Sequence, residues 1–259
     1  MRRFLVILAF TFLTCGCATT GSDIKKLESE SAKEEFEDAI KSLKGGYYQE
    51  AIDKFNQIKI KYPFSIYATE AELKIADSYF EDEKYIEAAE AYTEFIKLHP
   101  SHPMVDYAAY RVALSYYNDA PSDWLILPPS YEKDQSSNIK ARKAFLEFLL
   151  RYKGSKFEGE ARKYLEKVDK RLINHDVYVA KFYFNRKKYE AVENRIKNIV
   201  RQYGIVDGMD EALYLLCSSL FFQNKMEEFD EMFSEMSRKF PKSKYLERLQ
   251  NLQKSKRRG

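Results

Sequence analysis

The sequence predicts an all-α protein in which about five helix pairs are stacked behind an N-terminal export signal. Glycine and proline number only 9 and 7 among 259 residues, and this scarcity disfavours a fold of strands and tight turns. Apolar residues recur at helical spacing in blocks that short polar turns separate. Similar blocks return at a fixed distance along the chain, which is typical of repeat proteins.

The repeat has a period of 37 residues. Four pairs of matching positions have this spacing: Ala51 and Ala88, Pro63 and Pro100, Val192 and Phe229, and Gly204 and Pro241. Small residues such as Ala39, Ala76 and Ala113 are expected where two helices approach closely. The pattern resembles the tetratricopeptide repeat, whose usual length is about 34 residues, and therefore predicts a tetratricopeptide-repeat superhelix. A coincidental bundle of helices is the alternative.

The third unit is interrupted. Its first helix is predicted to end near Tyr117 and its second to restart near Ile139, so residues 118–138, with Trp124, form an inserted loop. A loop of this length in a compact domain is usually functional or disordered. Residues 157–185 are predicted to form one long helix or two nearly collinear ones. The predicted segments are units 1–3 at 31–153, units 4 and 5 at 154–252, and a basic tail at 253–259.

The N-terminus has the features of a lipoprotein signal peptide. Two arginines precede an apolar stretch, residues 4–13, that is too short to cross a bilayer as a helix. Cys17 follows Gly16, and a small residue at that place suits cleavage by the signal peptidase and acylation of the thiol. We therefore expect residues 1–16 to be removed, Cys17 to carry the lipid, and the polar residues 17–30 to form a flexible tether. An ordinary secretory signal with two incidental cysteines is the alternative.

Composition and motifs disfavour an enzyme and a nucleic-acid-binding protein. The chain has 43 basic and 40 acidic residues, a balance that does not favour binding to polyanions. Its histidines, His99, His102 and His175, lack a cysteine or carboxylate pattern that would complete a metal site. The sequence has no phosphate-binding glycine loop and no nucleophile elbow, so we expect no catalytic residue, metal or cofactor. Cys217 lies in an apolar helical stretch and is expected to be a core thiol.

Longer segments add a more specific signal. They are Lys61-Tyr62-Pro63-Phe64 with Tyr67, His99 to Pro103 with Asp106-Tyr107, Glu132-Lys133-Asp134 before Ala141 to Phe145, and Lys170 to Ala180 with Phe182-Tyr183 and Val192 to Arg195. In this order and behind a lipid signal, they make nearly all of the mature chain similar to the BamD family, the tetratricopeptide lipoproteins of the outer-membrane β-barrel assembly machine. Lys153-Gly154 and Gly204 stand where relatives usually have proline, and the inserted loop also differs in sequence.

The resemblance implies a non-catalytic scaffold that associates with the POTRA domains of the BamA subunit and helps unfolded outer membrane β-barrel clients to insert and fold. Other Bam lipoproteins are further candidate partners. Ala18 resembles the residue found after the lipidated cysteine in lipoproteins sorted to the outer membrane, which implies a lipid-anchored protein at its periplasmic face. Another periplasmic tetratricopeptide lipoprotein, serving pilus or envelope maintenance, is the first alternative, and an enzyme or enzyme regulator is the second.

The resemblance also suggests which residues contact BamA. The family position that matches Arg195 lies on the C-terminal surface expected to face the POTRA domains. A guanidinium can form two parallel hydrogen bonds with a carboxylate, which a neutral side chain cannot replace. A solvated helical arginine is the alternative.

A client-binding groove is expected on the first helix of each of the first three units. In tetratricopeptide stacks these helices line the concave face, with groove residues at i, i+4 and i+7. The rule, with one residue added a turn earlier on the last helix, gives Phe36, Ile40, Asp77, Phe80, Tyr107, Tyr110, Leu114 and Tyr117, besides Leu43 and Leu73, for which the core is the competing prediction. The aromatic members suit an extended peptide with Phe or Tyr side chains. Tyr110 and Tyr117 are expected to expose a ring and keep the hydroxyl hydrated, and packing between helices is the alternative for each residue.

The lipid site can be tested by replacing each N-terminal cysteine. We expect Cys17→Ser to leave the protein unprocessed or soluble, because the acylated thiol is lost, and Cys15→Ser to mature normally. An anchor of two or three acyl chains holds a protein on a membrane stably, whereas one chain binds only marginally. Membrane fractionation and mass spectrometry measure the outcome, and an acyl group on Cys15 would contradict the assignment.

Overall fold

The computed structural model describes residues 21–121 and 129–257, and the side chains of residues 29–121 and 129–255. Contacts divide the chain into two compact units, the first ending at Ile75 and the second starting at Ala76. The described residues form eleven α-helices and one short 3₁₀ helix and contain no strand. In these ranges no helix is both long enough and apolar enough to cross a membrane.

The first unit is built on a pair of antiparallel helices, α1 (Gly21–Lys44) and α2 (Tyr48–Lys61), followed by the start of α3 (Ile66–Glu81). Three hydrogen bonds link the two helices: Ser42 with Glu50 at 3.0 Å, Asp38 with Lys54 at 2.5 Å, and Glu35 with Lys61 at 3.1 Å. From the first pair to the last, both residues lie further from the turn, which is the register of an antiparallel pair. The buried face of α2 packs Ala51, Ile52, Phe55 and Ile58 into the core of this unit.

The second unit continues the helix pairs to the end of the chain. Its elements after α3 are α4 (Tyr85–Leu98), α5 (Val105–Asp119), the 3₁₀ helix Ser130–Glu132, α6 (Ser136–Arg151), α7 (Glu158–Asn185), α8 (Tyr189–Tyr203), α9 (Asp210–Phe222), α10 (Met226–Lys239) and α11 (Leu246–Arg257). The predicted all-α fold of five helix pairs is confirmed, with α11 added after the last pair. The single long helix expected at 157–185 is confirmed as α7.

The turns inside four of the pairs share one geometry. Each has a residue in the left-handed region, with φ between 58° and 79°: Gly46, Glu83, Lys187 and Asn224. In each turn the next amide donates to the carbonyl five residues before it at 3.0 Å, as Lys84 does to Tyr79. This is the Schellman ending of a helix. Gly46 and Glu83 are 37 residues apart, as are Lys187 and Asn224, so the repeat period is also the period of this turn.

Two apolar clusters form the core of the second unit, and α7 contributes to both. The first cluster includes Phe145 and Phe148, with Ala161 and Val168 from the first half of α7. The second joins the second half of α7 to α8, α9, α10 and α11 around Ile196, Leu213 and Phe229. Cys217 is fully buried in this second cluster, and burial raises the pKa of its thiol to about 12. The prediction that Cys217 is a core thiol is therefore confirmed.

The described end of the inserted loop is packed against the helices. Gln135 is buried, and its amide donates to the carbonyls of Ser130 and Lys133, both at 2.8 Å. The ring of Tyr131 lies 5.7 Å from that of Tyr178 on α7, and His175 Nδ1 lies 2.6 Å from the Tyr131 carbonyl. The flanking helices extend slightly further than predicted, since α5 ends at Asp119 and α6 begins at Ser136.

Three predicted boundaries differ from the structure. The expected tether at 17–30 is helical from Gly21 onward. Lysine, glutamate and leucine are good helix formers, and neither proline nor another glycine occurs before the helix ends at Lys44. The expected basic tail at 253–259 is helical as far as Arg257, on a helix that the buried Leu249 holds in the second cluster. The border between compact units follows Ile75 rather than residue 153, because α7 ties the clusters on both of its halves into one unit.

Some predicted features lie outside the described residues. These are the signal peptide at 1–16, the lipid site Cys17, and Trp124 in the inserted loop.

A buried carboxylate joins three helices of the second unit. Glu193 on α8 is 5% exposed and accepts hydrogen bonds at 2.8 Å from Lys197, Gln223 and Lys225. Gln223 and Lys225 flank the left-handed turn between α9 and α10, so one side chain fixes that turn against α8. Burial raises the pKa of Glu193, but the hydrogen bonds from the two lysines and the amide outweigh it and lower the pKa to about 2.

Removing this charge should destabilise the protein in a pH-dependent manner. We expect Glu193→Gln to lower the free energy of unfolding at pH 7 by about 1.5–3 kcal/mol, the range for hydrogen bonds to charged groups. Because the folded pKa lies below the unfolded one, the stabilisation is complete above the unfolded value of about 4.3. It should disappear as the pH falls toward about 2. Urea unfolding followed by circular dichroism measures this, with Glu190→Gln, an exposed site on the same helix, as control. A deficit that stays constant from pH 7 to the acid limit would contradict the assignment.

Candidate protein-binding surfaces

Two of the predicted groove residues, Asp77 and Tyr107, meet in one hydrogen-bonded cluster. Asp77 on α3 accepts a hydrogen bond from the hydroxyl of Tyr92 at 2.6 Å and another from Tyr107 at 2.8 Å. Asp77 is only 7% exposed. Burial, with the nearby Asp77 carboxylate adding to it, raises the pKa of both tyrosines, so both hydroxyls remain donors. The carboxylate thus joins α3 to α4 and α5 through one of its oxygens.

Arg111 covers the open side of this cluster. Its guanidinium carbon lies 3.6 Å from the centre of the Phe80 ring, a cation–π contact. Its Nε donates to the Tyr92 hydroxyl at 3.1 Å, and its Nη2 donates to Glu81 at 3.2 Å. Phe80 is half-buried and also packs edge-on against Tyr85 at 5.3 Å. Phe80 and Tyr107 therefore keep a partly accessible surface, whereas the Asp77 side chain contributes little to a groove.

The expectation that Tyr110 exposes its ring is wrong. Tyr110 is 4% exposed and stacks on Phe157 with ring centres 4.9 Å apart and planes inclined by 5°. Phe145 and Phe148 contact its remaining sides. This face of α5 is covered by α6 and α7, so a tyrosine there becomes a core residue. Asp77 is also buried and acts as a hydrogen-bond acceptor. Leu73 is 1% exposed, which agrees with the competing prediction that it lies in the core.

The other predicted groove residues are half-buried. Tyr117 packs edge-on against Tyr164 at 4.7 Å, and the Arg171 guanidinium lies 4.4 Å from its ring centre and donates to its hydroxyl at 3.3 Å. Leu114 lies beside Tyr117 at the edge of the same cluster. In the first unit Phe36 is half-buried with Phe55 and Tyr67, each 5.5 Å away between ring centres. Ile40 and Leu43, one and two turns further along α1, are half-buried as well.

Arg195 lies in a polar cleft between α7 and α8. It forms an ion pair with Asp176 of α7, and 34% of its side chain is exposed. The cleft has a volume of about 710 Å³ and is lined by Asp176, Tyr183, Ala191, Asn194, Arg195, Asn198, Ile199, Arg201 and Gln202. The guanidinium is therefore held in place by one carboxylate while part of it stays open to solvent.

A second cleft, of about 500 Å³, shares Asp176 and Gln202 with the first. Its wall on α6 carries the exposed side chains of Ile139 and Leu146 beside Arg142. Arg142 donates to Asp169 at 2.7 Å and lies 4.6 Å from the centre of the Tyr203 ring. The two clefts form one surface across α6, α7 and α8 that combines apolar side chains with fixed arginines.

Sequence reasoning missed the partners of both candidate sites. Arg111 stands four residues after Tyr107, on the same face of a helix, and this spacing could have suggested it. Asp176 and Arg195 lie on the two sides of the turn at Lys187, eleven residues before it and eight residues after it. Residues placed in that way face each other in an antiparallel helix pair. Both signals appear only after the pairing of the helices is known.

Among the described residues, no group of three or more histidine, cysteine, aspartate or glutamate side chains is arranged to hold a metal ion. The carboxylates of the sites described above, Asp77, Asp176 and Glu193, are engaged by tyrosine, arginine and lysine donors. The clusters and clefts described above present polar and aromatic side chains on packed helix pairs.

The fold and these surfaces define a helical-repeat protein whose candidate sites are suited to recognition. The chain belongs to the family YfiO, described as outer membrane lipoprotein, whose sequence profile matches residues 28–224.

The chain is also similar to proteins named outer membrane protein assembly factor BamD. It is 26% identical to outer membrane protein assembly factor BamD of Neisseria gonorrhoeae over 257 residues, covering 95% of this chain and 94% of that protein. It is 27% identical to the BamD protein of Rickettsia prowazekii, covering 76% of each chain. Among solved structures it is similar to the TPR2AB domain of yeast Sti1 in a complex with pHSP90, with 12% identity, a TM-score of 0.44, and coverage of 84% of this chain and 80% of that one.

Proposed function

We propose that this chain is a non-catalytic scaffold and client-binding subunit of the machinery that assembles β-barrel proteins into the outer membrane. The observation that carries the proposal is the similarity to BamD along nearly the whole length of both chains. The surfaces described above suit this role, since they offer fixed arginines and aromatic rings for binding. Recognition, without bond making, would be its chemistry.

The proposed location is the periplasmic face of the outer membrane. A lipid on Cys17 would tether the chain there, in agreement with the family description as an outer membrane lipoprotein. Three residues separate Cys17 from the start of α1 at Gly21, so the anchor would hold the first unit close to the lipid surface.

The proposed docking surface for the BamA POTRA domains is the pair of clefts across α6, α7 and α8. Stable protein interfaces combine an apolar centre with arginines and a polar rim, and this surface has Ile139 and Leu146 beside Arg142 and Arg195. The exposed part of Arg195 would pair with a carboxylate of BamA while Asp176 holds the guanidinium in position.

The proposed client surface is made by the predicted groove residues of the second unit that keep accessible surface, which are Phe80, Tyr107, Leu114 and Tyr117. Phe36 and Ile40 are a separate candidate contact within the first unit. An extended segment of an unfolded β-barrel protein, with Phe or Tyr on alternate residues, presents side chains that suit such partly open aromatic positions. Each well-packed aromatic could contribute on the order of 1–3 kcal/mol to binding.

The docking surface is tested by reversing the charge at Arg195. We expect Arg195→Glu to reduce the amount of BamA that co-purifies with the protein from detergent-solubilised membranes, because the partner carboxylate would meet a like charge. Arg238→Glu is the matched control, because Arg238 is an exposed arginine on α10, away from the clefts. Equal recovery of BamA with the parent and with Arg195→Glu would contradict the assignment.

A double variant separates docking from folding. Exchanging the ion pair, Asp176→Arg with Arg195→Glu, restores opposite charges between α7 and α8 and should recover the stability lost in the single variant. BamA recovery should remain low, because the exposed charge is still reversed. If the exchanged pair restores both stability and BamA recovery, Arg195 acts only through its contact with Asp176.

The client surface is tested by titrating a labelled C-terminal peptide of a β-barrel protein and following its fluorescence. We expect Phe80→Ala and Tyr117→Ala to weaken binding, each by roughly tenfold, which corresponds to about 1.4 kcal/mol. Tyr178→Ala removes an exposed tyrosine outside the predicted groove and should leave binding unchanged. Circular dichroism must show that each variant is folded. Parent-like binding by both groove variants would place the client site elsewhere.

A further inference from the structure

The turn between α2 and α3 displays an unusually exposed apolar corner. Phe64 is fully exposed, more so than any other large apolar side chain in the described ranges, and Ile66 is 73% exposed. Together with Pro63 these residues line one side of an open cleft of about 620 Å³. We call Pro63, Phe64 and Ile66 the apolar corner. Clustered exposed apolar side chains of this kind mark a contact surface.

The apolar corner is held rigidly by its neighbours. The hydroxyl of Tyr62 donates to Glu35 of α1 at 3.0 Å, which fixes the end of α2. The Ser65 amide donates to the Tyr62 carbonyl at 3.0 Å, and the Ser65 hydroxyl accepts the Ala68 amide at 3.1 Å and so caps α3. Phe64 is therefore presented on a fixed turn, and its exposure is built into the local hydrogen bonding.

The apolar corner lies near the part of α1 that leads back to the proposed lipid site. Ser29 of α1 lines the same cleft as Phe64, and α1 begins eight residues earlier, at Gly21. Eight helical residues extend about 12 Å, and the four chain steps from Gly21 back to Cys17 have a maximum length of about 14 Å. The apolar corner thus lies at the end of the first unit from which the chain leads to the proposed lipid site.

We propose that the apolar corner inserts into the lipid surface, where it forms a second membrane contact that orients the first unit. The inference rests on the lipid-anchored location proposed above. Once the anchor holds the chain, the second contact is intramolecular, so even a weak one is well populated. Lys61 beside the corner already pairs with Glu35 at 3.1 Å. The contact is therefore chiefly apolar, with Phe64 and Ile66 at the boundary of headgroups and acyl chains.

A spin label can measure this contact in the intact lipidated protein. The label is placed by Ile66→Cys, which leaves Phe64 unchanged, and the control is Tyr47→Cys, an exposed site at the opposite end of the α1–α2 pair. Cys217 does not compete for the label because it is buried. The protein is reconstituted into vesicles of phosphatidylethanolamine and phosphatidylglycerol. Paramagnetic resonance then compares collisions with oxygen, which enters lipid, with collisions with a water-soluble nickel chelate.

We expect the oxygen-to-nickel collision ratio to be several-fold higher at residue 66 than at residue 47. Adding Phe64→Glu to the Ile66→Cys protein should lower the ratio to that of the control, and circular dichroism checks that the fold is kept. Equal ratios at the two sites, or no effect of Phe64→Glu, would overturn the inference and leave a protein partner as the occupant of the corner. Protein that fails to float with the vesicles and carries no acyl group on Cys17 would instead overturn the anchor, and the inference with it.

Discussion

The helices of this protein approach one another at alanines, and the remaining structure depends on that close approach. Ala39 and Ala51 in the first unit, and Ala88, Ala113 and Ala180 in the second, are all fully buried. Large aromatic side chains such as Phe55, Tyr92 and Phe145 fill the space beside them and are fully buried too. Because protein interiors are packed as densely as organic crystals, a larger residue at an alanine position would separate the helices. The hydrogen bonds between the two helices of a pair would then become longer, and they would no longer hold the helices in register.

This alternation of small and large residues explains what the sequence could predict. Helix pairs, their period and the long helix α7 follow from local spacing, and the structure agrees with these predictions. Which face of α5 is buried could not be predicted from the residues near it in the sequence. Tyr110 is buried because Phe157, 47 residues later in the chain, stacks on it, and the inserted loop between them breaks the period that a repeat rule relies on. Three of the four left-handed turn residues, Glu83, Lys187 and Asn224, are not glycine, and of these only Asn224 is of a type enriched in that conformation, so the turns at Glu83 and Lys187 had no recognisable signal.

Buried carboxylates fix how the closely packed helices are aligned with one another. Asp77 accepts hydrogen bonds from two tyrosines, and Glu193 accepts them from two lysines and an amide. A buried polar group without partners would be costly, whereas a fully satisfied one permits a single arrangement of its helices. Both carboxylates are buried, so their main role is structural. They keep the helices rigid, so that a partly exposed side chain such as Arg195 is presented in one orientation.

Rigid presentation matters because the individual contacts on offer are weak. An exposed ion pair contributes at most about 1 kcal/mol, and the basic and acidic residues of the chain nearly balance, at 43 and 40, so long-range attraction contributes little. In the proposed setting, a lipid anchor confines the chain to a surface and turns each later contact into an intramolecular one, which raises its effective concentration. Modest clefts at α7 and α8, half-buried aromatics on α5 and an apolar corner at Phe64 can then act together. Binding then does not require a deep pocket, because each unit presents its own shallow surfaces on packed helices.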